Sequence, residues 1–322
     1  MRHRFPPSFR AALRGCLLLL LMVVGASGVW AQQDAAFLQY WKVPTQWNPA
    51  AAGRSPQLSI NGAIQTHAMG FDQAGSTMWA GADMAFALGR TRHGVGASFL
   101  NDNIGLFAHK RFALQYAYHR SLLGGQLSLG AQANMLQEEI DGTKAEFGSG
   151  SDPAFPSAKV TGAAFSASVG AAYQWRALEL AASVQQLTAP LVTYGETYQY
   201  QVKRGYNFMA AYNIRTKSPL FTITPSVMWR SDLSDHRVDL TLRGRYTFEK
   251  RSFYGGVNFA PQRSVALFAG GTLRGIDISY SYEANTSGLG LGAGQHEVTF
   301  SYSLDLDLGR KGKNLHKSVR WL

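Results

Sequence analysis

The stretch Val-Asp-Leu-Thr-Leu-Arg-Gly-Arg-Tyr-Thr-Phe at residues 238–248 decides the fold. Its even-numbered positions are almost all apolar, whereas its odd-numbered positions carry Asp, Thr, Arg, Arg and Thr. Successive side chains of a β-strand point to opposite faces, so this pattern predicts a strand with one apolar and one charged face. The strand is longer than the usual five or six residues. It has the length of about 9 to 11 residues that a tilted strand needs to cross a bilayer.

The same alternation recurs along residues 57–308, most clearly at 276–283 and 298–308. An even number of antiparallel strands lets a single chain close into a barrel with both termini in the periplasm. The fold class that we predict is all-β, a transmembrane antiparallel barrel of about 14 strands, with an N-terminal extended segment and a short basic C-terminal tail. Candidate strands begin near Gln57, Thr77, Gly94, Arg111, Gly125, Thr161, Glu179, Lys203, Leu220, Arg237, Ser252, Ser264, Gly275 and Glu297.

The links between these segments are of two kinds. Short ones at 123–125, 261–263 and 274–275 indicate tight turns. Longer ones at 138–160, 188–202 and 284–295 are candidate extracellular loops, because outer-membrane barrels keep their periplasmic turns short. The Ala-rich stretches 163–175 and 178–186 also suit a helix, but their i to i+2 apolar sets favour strands.

Composition separates a membrane barrel from other classes. Only 16% of the 322 residues are charged and 34 are Gly, while the longest continuous apolar run, 16–26, is too short for a spanning helix. In hydrocarbon every backbone polar group must be paired within the protein, so only helices and closed barrels can span a membrane. Because a spanning helix is excluded, a closed barrel is the membrane fold that remains. The alternative is a large soluble β-sandwich or propeller. Its outer face would carry Lys and Glu, whereas here aromatic residues and Leu lie opposite Arg and Asp.

Charge and cysteine content point to export. Four Arg precede the apolar run and small residues follow it, so residues 1–31 form a secretory signal peptide. Removing it takes away the one Cys, which excludes disulfides and thiol chemistry. The predicted divisions are 1–31 signal peptide, 32–56 N-terminal segment (plug or periplasmic), 57–308 barrel and 309–322 basic tail. The net charge of +11 lies largely at the two ends, so nucleic acid is not an expected partner.

Two polar motifs have structural explanations. Asn48-Pro49 followed by Gly53 predicts an extended-to-turn geometry, in a segment tucked against or inside the barrel. The run 101–103, Asn-Asp-Asn, predicts a turn after a strand. It lacks the spaced carboxylates of a calcium loop, and we expect no metal and no other cofactor.

Catalytic motifs are missing from the sequence: it contains no HExxH, GxSxG, CxxC or Walker pattern. We therefore expect no enzyme. His296, Glu297 and Ser301 are the best candidates for a barrel hydrolase, against the simpler explanation that His296 and Glu297 lie at a strand end near an interface. The candidate residues that line the lumen, as a selectivity lining or as a compensating charge network, are Asp83, Asp239, Arg243, Arg245, Asp277 and Glu283.

The C-terminal tail is basic and ends in apolar residues. At the periplasmic end of a barrel it would meet anionic lipid, peptidoglycan or a partner subunit. We consider it a candidate docking peptide, with a solvated tail as the alternative. The residues concerned are Lys311, Lys313, Lys317, Arg320 and Trp321.

Several motifs, in order along the chain, resemble one family. The N-terminal ones are Gln39-Tyr40, Asn48-Pro49-Ala50-Ala51-Ala52-Gly53 and Gln65-Thr66-His67-Ala68-Met69-Gly70-Phe71-Asp72. Further along stand Gly96 with Asn101-Asp102-Asn103-Ile104-Gly105, and Asp152-Pro153-Ala154-Phe155. Near the end come Tyr280-Ser281-Tyr282-Glu283 and Gly294-Gln295-His296-Glu297. Together they resemble the PorP/SprF proteins, outer-membrane components associated with type IX secretion and gliding motility in Bacteroidetes.

This resemblance implies a non-enzymatic outer-membrane barrel that assists the secretion or surface attachment of cargo proteins. Its expected partners are other type IX secretion or gliding components, secreted surface proteins and outer-membrane lipid. A barrel that transports a hydrophobic or small polar solute is the alternative, and a barrel hydrolase is a weaker one.

Overall fold

The structure, a computed structural model, describes residues 35–67, 75–144, 156, 158–195, 198–286 and 294–305. A short helix α1 (Pro44–Trp47) and a 3-10 turn (Pro49–Ala51) come first, and a second 3-10 turn spans Gly142–Lys144. The strands are β1 (Leu58–Thr66), β2 (Ser76–Leu88), β3 (Thr91–Ile104), β4 (Phe107–Leu122), β5 (Gly125–Asp141), β6 (Lys159–Trp175), β7 (Leu178–Gln185), β8 (Leu191–Tyr194), β9 (Tyr198–Gln201), β10 (Gly205–Tyr212), β11 (Ile214–Arg215), β12 (Phe221–Ser231), β13 (His236–Phe248), β14 (Arg251–Ala260), β15 (Ser264–Leu273), β16 (Ile276–Asn285) and β17 (Gln295–Leu304).

The strands form one closed antiparallel barrel. Each wall strand pairs with the next wall strand along the chain, and β1 pairs with β17 to close the sheet. The β8–β9 hairpin is a separate two-stranded sheet inserted between β7 and β10, which pair with each other, and β10 pairs in turn with β12. The two-residue strand β11 continues β10 along the edge of β12. This leaves fourteen wall strands, and the prediction of an all-β barrel of about 14 strands is confirmed.

The wall has an apolar outside and a polar inside. On β4 the side chains of Phe112, Leu114 and Tyr116 are exposed on the outer surface, while those of Arg111 and Gln115, which alternate with them, are buried inside. The same division runs through the barrel, because neighbouring strands keep their alternation in register. A soluble sandwich would have the opposite arrangement, so the outer surface is that of a protein in contact with lipid.

The two ends of the barrel differ in the length of their links. At the end where β1 begins and β17 ends, the links are 89–90, 123–124, 176–177, 216–220, 249–250 and 274–275. At the other end they include 67–75, 142–158, 186–204 and 286–294. Since outer-membrane barrels place their short turns on the periplasmic side, we call these the periplasmic and extracellular ends.

The observed strands begin within a few residues of the predicted positions. One local prediction is confirmed and one is wrong. The Ala-rich stretches form β6 and β7, as the i to i+2 sets predict. The prediction of a turn at residues 101–103 is wrong, because all three residues lie in β3 and their backbones pair with 108–110 of β4. The turn begins at Gly105, which has a φ of 58°.

The hydrophobic core lies inside the barrel. Two clusters join residues 37–52 to the inner wall, among them Trp47 with Met228 and Phe37 with Trp79. A third cluster places Val192 and Tyr194 of the β8–β9 hairpin against Leu136. The hairpin therefore folds inward at the extracellular end.

In the described part of the chain, helices are too short and too polar to serve as membrane spans.

A charge on the outer surface tests the placement of the barrel in lipid. Leu114, at the middle of β4, is 69% exposed, and Leu123, in a periplasmic turn, is 85% exposed. We expect Leu114→Arg to lower the free energy of unfolding in lipid vesicles by about 2–4 kcal/mol, because a cation there faces hydrocarbon. The matched control Leu123→Arg is expected to cost about 0–1 kcal/mol. Equal costs in urea titrations of the two variants would contradict a membrane-facing outer wall.

Candidate functional site

Residues 35–54, which we call the luminal segment, lie across the inside of the barrel. Proline occupies the start of both its short helical turns, where a missing N–H costs nothing. Asn48 between them is extended, with φ −138° and ψ 109°, and its side chain caps the 3-10 turn by accepting from Ala50 N at 2.9 Å. The Trp47 indole donates to Tyr40 O at 3.1 Å, which folds the segment on itself. The extended-to-turn geometry that Asn48-Pro49 predicts is present.

One end of the luminal segment is held by a carboxylate. Glu297 of β17 is buried and accepts hydrogen bonds from the backbone N–H groups of Leu38 at 2.6 Å and Gln39 at 3.0 Å. Gln39 in turn accepts from Ser279 Oγ at 2.8 Å. Each carboxyl oxygen of Glu297 thus accepts from one backbone N–H of the segment.

Strand β4 holds the opposite side through three side chains spaced four residues apart. Arg111 donates to Gln46 O at 3.1 Å and Gln115 donates to Thr45 O at 2.9 Å. His119 Nε2 lies 2.8 Å from Ala52 O. The spacing follows from strand geometry, since every second residue faces the lumen.

The centre of the segment is bonded to β6 and β7. The Asn48 amide donates to Ala171 O at 3.1 Å and to Ala182 O at 3.4 Å. Trp47 O accepts from Ser183 Oγ and from Gln185 Nε2, each at 2.5 Å. Gly53 N donates to Asp83 of β2 at 2.8 Å. The backbone of the segment is thus paired with the wall on all sides.

Glycines of the wall allow this close approach. A Cβ added at Gly94 would lie 2.0 Å from Ala52 O, and one at Gly170 would lie 2.1 Å from Asn48 Oδ1. At such distances atoms overlap, so these positions leave room for the luminal segment only as glycine.

The extracellular half of the lumen contains a balanced charge network. Arg230 bonds Asp239 at 3.0 Å and Phe37 O at 3.0 Å. Arg237 bridges Asp239 at 2.9 Å and Glu283 at 2.7 Å. Asp239 and Glu283, both candidate lumen residues, therefore neutralise buried arginines and anchor the start of the luminal segment.

The periplasmic half brings together the other candidate lumen residues. Lys42 of the luminal segment pairs with Asp277 at 2.6 Å. Burial lowers the pKa of Lys42 to about 8, although the Asp277 carboxylate opposes that change. The Arg243 guanidinium lies 4.9 Å from the ring centre of Trp41, and that of Arg245 lies 5.3 Å from the ring of Tyr254.

The luminal segment separates two cavities. The extracellular one is about 100 Å³ and is lined by Trp47, His109 and Glu138 among others. The periplasmic one is about 230 Å³ and lies beside Trp41, Arg243 and Arg245. Both are too small to pass a folded protein.

His296 and Glu297 point in opposite directions. His296 faces outward, where its Nδ1 lies 2.6 Å from the hydroxyl of Tyr280 and its ring is 5.0 Å from that of Tyr282. Glu297 is buried inside, and the half-buried Ser301 lies on the same inward face of β17. The wall strand therefore separates His296 from Ser301, and the hydrolase candidate is wrong because residues an odd number apart on a strand cannot meet.

The remaining motif residues are dispersed. Asp102 faces inward and accepts from Thr77 at 2.6 Å, and Asn101 and Gly105 lie near it at the extracellular end. Asp152 and Pro153 lie outside the described residues, as does the tail with Lys311, Lys313, Lys317, Arg320 and Trp321. The described residues include no group of three or more His, Cys, Asp or Glu that could hold a metal.

Sequence reasoning missed most of the wall residues that hold the luminal segment. Arg111, Gln115 and His119 all lie on the polar face of a predicted strand. The alternation of apolar and polar residues could therefore have identified them as facing the lumen. The pattern predicts which face of the strand a side chain lies on, but it does not predict the hydrogen-bond partner. That partner is a backbone carbonyl far away in the sequence.

We expect Asn48→Ala to loosen the luminal segment, since it removes two hydrogen bonds to the wall and one cap. Bonds of this kind contribute about 0.5–1.5 kcal/mol each. Hydrogen exchange of peptides covering residues 35–54 should therefore be about 10-fold faster or more in the variant.

Gly170→Ala should have the same effect by a steric route, with Gly62→Ala as its control. An added Cβ at Gly62 meets nothing closer than 3.7 Å. If hydrogen exchange of residues 35–54 were unchanged in both Asn48→Ala and Gly170→Ala, the close contact between the luminal segment and the barrel wall would be contradicted.

Comparisons with known proteins agree with this geometry. Residues 29–302 match the family described as "Type IX secretion system membrane protein PorP/SprF". No curated protein matches the chain. Among solved structures, the toluene transporter TbuX of Ralstonia pickettii is similar with a TM-score of 0.50 at 12% identity, covering 88% of this chain and 96% of that one.

A mutant of the monoaromatic hydrocarbon channel TodX is similar to the same degree, with a TM-score of 0.50 at 11% identity over 82% of this chain and 94% of that one. At such identities the likeness shows the fold. The barrel lies in the outer membrane, as the family match and the barrel fold together indicate. The family match covers nearly the whole chain from the luminal segment to β17, and the protein belongs to the PorP/SprF family of type IX secretion system membrane proteins.

Proposed function

We propose that this protein is a closed outer-membrane component of a type IX secretion and gliding apparatus, which assists the secretion or surface attachment of cargo proteins. It acts through its surfaces and not as a conduit. Its partners are other components of the apparatus and the secreted proteins themselves.

The filled lumen is the observation that carries this proposal. The luminal segment is bonded to β2, β4, β6, β7, β12, β16 and β17, and the cavities beside it are about 100 and 230 Å³. Within the part of the chain that the structure describes, such an interior leaves no path for a cargo protein. The extracellular links and the inward-folded β8–β9 hairpin then supply the surface on which cargo is held.

Transport of a small hydrophobic or polar solute is the second candidate. It is favoured by the two cavities on either side of the luminal segment. Two similar folds are described as a toluene transporter and a monoaromatic hydrocarbon channel. A transporter needs the luminal segment to move, whereas the secretory role does not.

Deleting the gene separates the two candidates. We expect a deletion strain to lose surface-attached or secreted cargo, measured by mass spectrometry of the surface and medium fractions, while toluene uptake stays unchanged. Complementation with the wild-type gene should restore the cargo. Normal secretion together with lowered uptake would overturn the proposal in favour of transport.

The basic tail is proposed to dock an envelope partner. Removing residues 310–322 takes away five basic residues and Trp321 without touching the described barrel. We expect co-purification of envelope partners from detergent extracts to fall several-fold, with a variant that keeps the tail but replaces Arg274 of a periplasmic turn by Gln as control. Unchanged recovery would remove the docking role.

A further inference from the structure

The periplasmic cavity is lined by more cationic than anionic side chains. Among the described residues, four cationic side chains line it, Lys42, Arg54, Arg243 and Arg245, together with one carboxylate, that of Glu179. In the extracellular half, by contrast, the arginines at 230 and 237 have carboxylate partners.

Two of the four cations are already neutralised. Arg54 pairs with Glu179 at 2.6 Å, and Lys42 pairs with Asp277 at 2.6 Å. Among the described residues, Arg243 and Arg245 have no carboxylate within 4 Å. Each instead lies against an aromatic ring. Two guanidinium groups thus face the cavity without a counter-charge from the described chain.

Two buried donors at the same place also have no partner. The Nε atom of Arg243 and the indole Nε1 of Trp41 are both buried and make no hydrogen bond within the described structure. Arg243 and Trp41 are in contact, with the guanidinium 4.9 Å from the ring centre. Buried donors normally find an acceptor, because leaving a buried polar group unpaired destabilises the fold. An oxyanion would satisfy the donors and the charge together.

One part of the remaining cavity wall is apolar or aromatic, with Tyr40, Trp47, Met209 and Ala181 among its residues, and the other part is polar, with Asn48, Asn213, Thr224 and Ser226. Its volume is about 230 Å³. An apolar cavity of about 150 Å³ holds benzene, so this one accommodates a single ring with one charged group. Arg54, Glu179 and Arg245 stand within a few residues of periplasmic turns, which places the cavity toward that end.

We propose that the periplasmic cavity is a binding site for a small organic oxyanion, a carboxylate or phosphate on an apolar body. Arg243 and Arg245 supply the charge, Trp41 supplies a neutral N–H donor, and the apolar wall holds the body of the ligand. This site is independent of the secretory role.

The test titrates the full mature protein in neutral detergent with benzoate and with phenyl phosphate, and follows binding by calorimetry. Benzyl alcohol reports the contribution of the ring alone, and inorganic phosphate reports that of the charge alone. We expect saturable binding of at least one organic anion, with benzyl alcohol and inorganic phosphate at least 10-fold weaker. The two anions distinguish carboxylate from phosphate as the preferred group.

Variants locate the binding. Arg243→Gln and Arg245→Gln should each weaken it 10-fold or more, and Trp41→Phe, which keeps a ring but removes the N–H, should weaken it several-fold. Arg274→Gln, in a turn at the same end, is the matched control and should bind as the wild type does. The gel mobility of unheated protein confirms folding of each variant. Lack of saturable binding, or equal binding in Arg274→Gln, Trp41→Phe and the folded Arg variants, would overturn the proposal.

Discussion

A barrel in hydrocarbon has to turn its polar side chains inward, and inside the lumen they must find partners without the help of bulk water. Here the partners are backbone groups of the luminal segment. Glu297 accepts two of its N–H groups, and Arg111, Gln115 and His119 meet three of its carbonyls. The wall and the segment satisfy each other, since each side supplies what the other lacks. Removing one side would leave a set of buried polar groups unpaired.

This mutual dependence explains why the interior is close-packed and why glycine stands where wall and segment touch. At Gly94 and Gly170 even a methyl group would overlap the segment. The apolar clusters around Trp47 and Phe37 add burial to the polar contacts. The protein therefore keeps its hydrophobic core within the barrel, while its outer apolar surface faces lipid.

Most of the fold could be predicted from the alternation of apolar and polar residues along the chain. The polar face of residues 238–248 carries Asp239, Arg243 and Arg245 inward, and the predicted strand starts lie within a few residues of the observed ones. The placement of 101–103 in a turn failed because Asx residues favour turns locally, whereas ladder pairing with β4 decides their backbone. The partners inside the lumen could not be predicted. The bonds between the luminal segment and the wall join residues that are 30 to 259 positions apart, and no local pattern encodes such pairings.

The central claim is that the luminal segment closes the barrel. Single-channel recording in planar lipid bilayers with the purified full mature protein tests it most directly. Closure predicts no steady conductance above that of the bare bilayer at moderate voltages, with brief openings only when the segment is loosened by Asn48→Ala. A steady open pore in the unmodified protein would contradict the account.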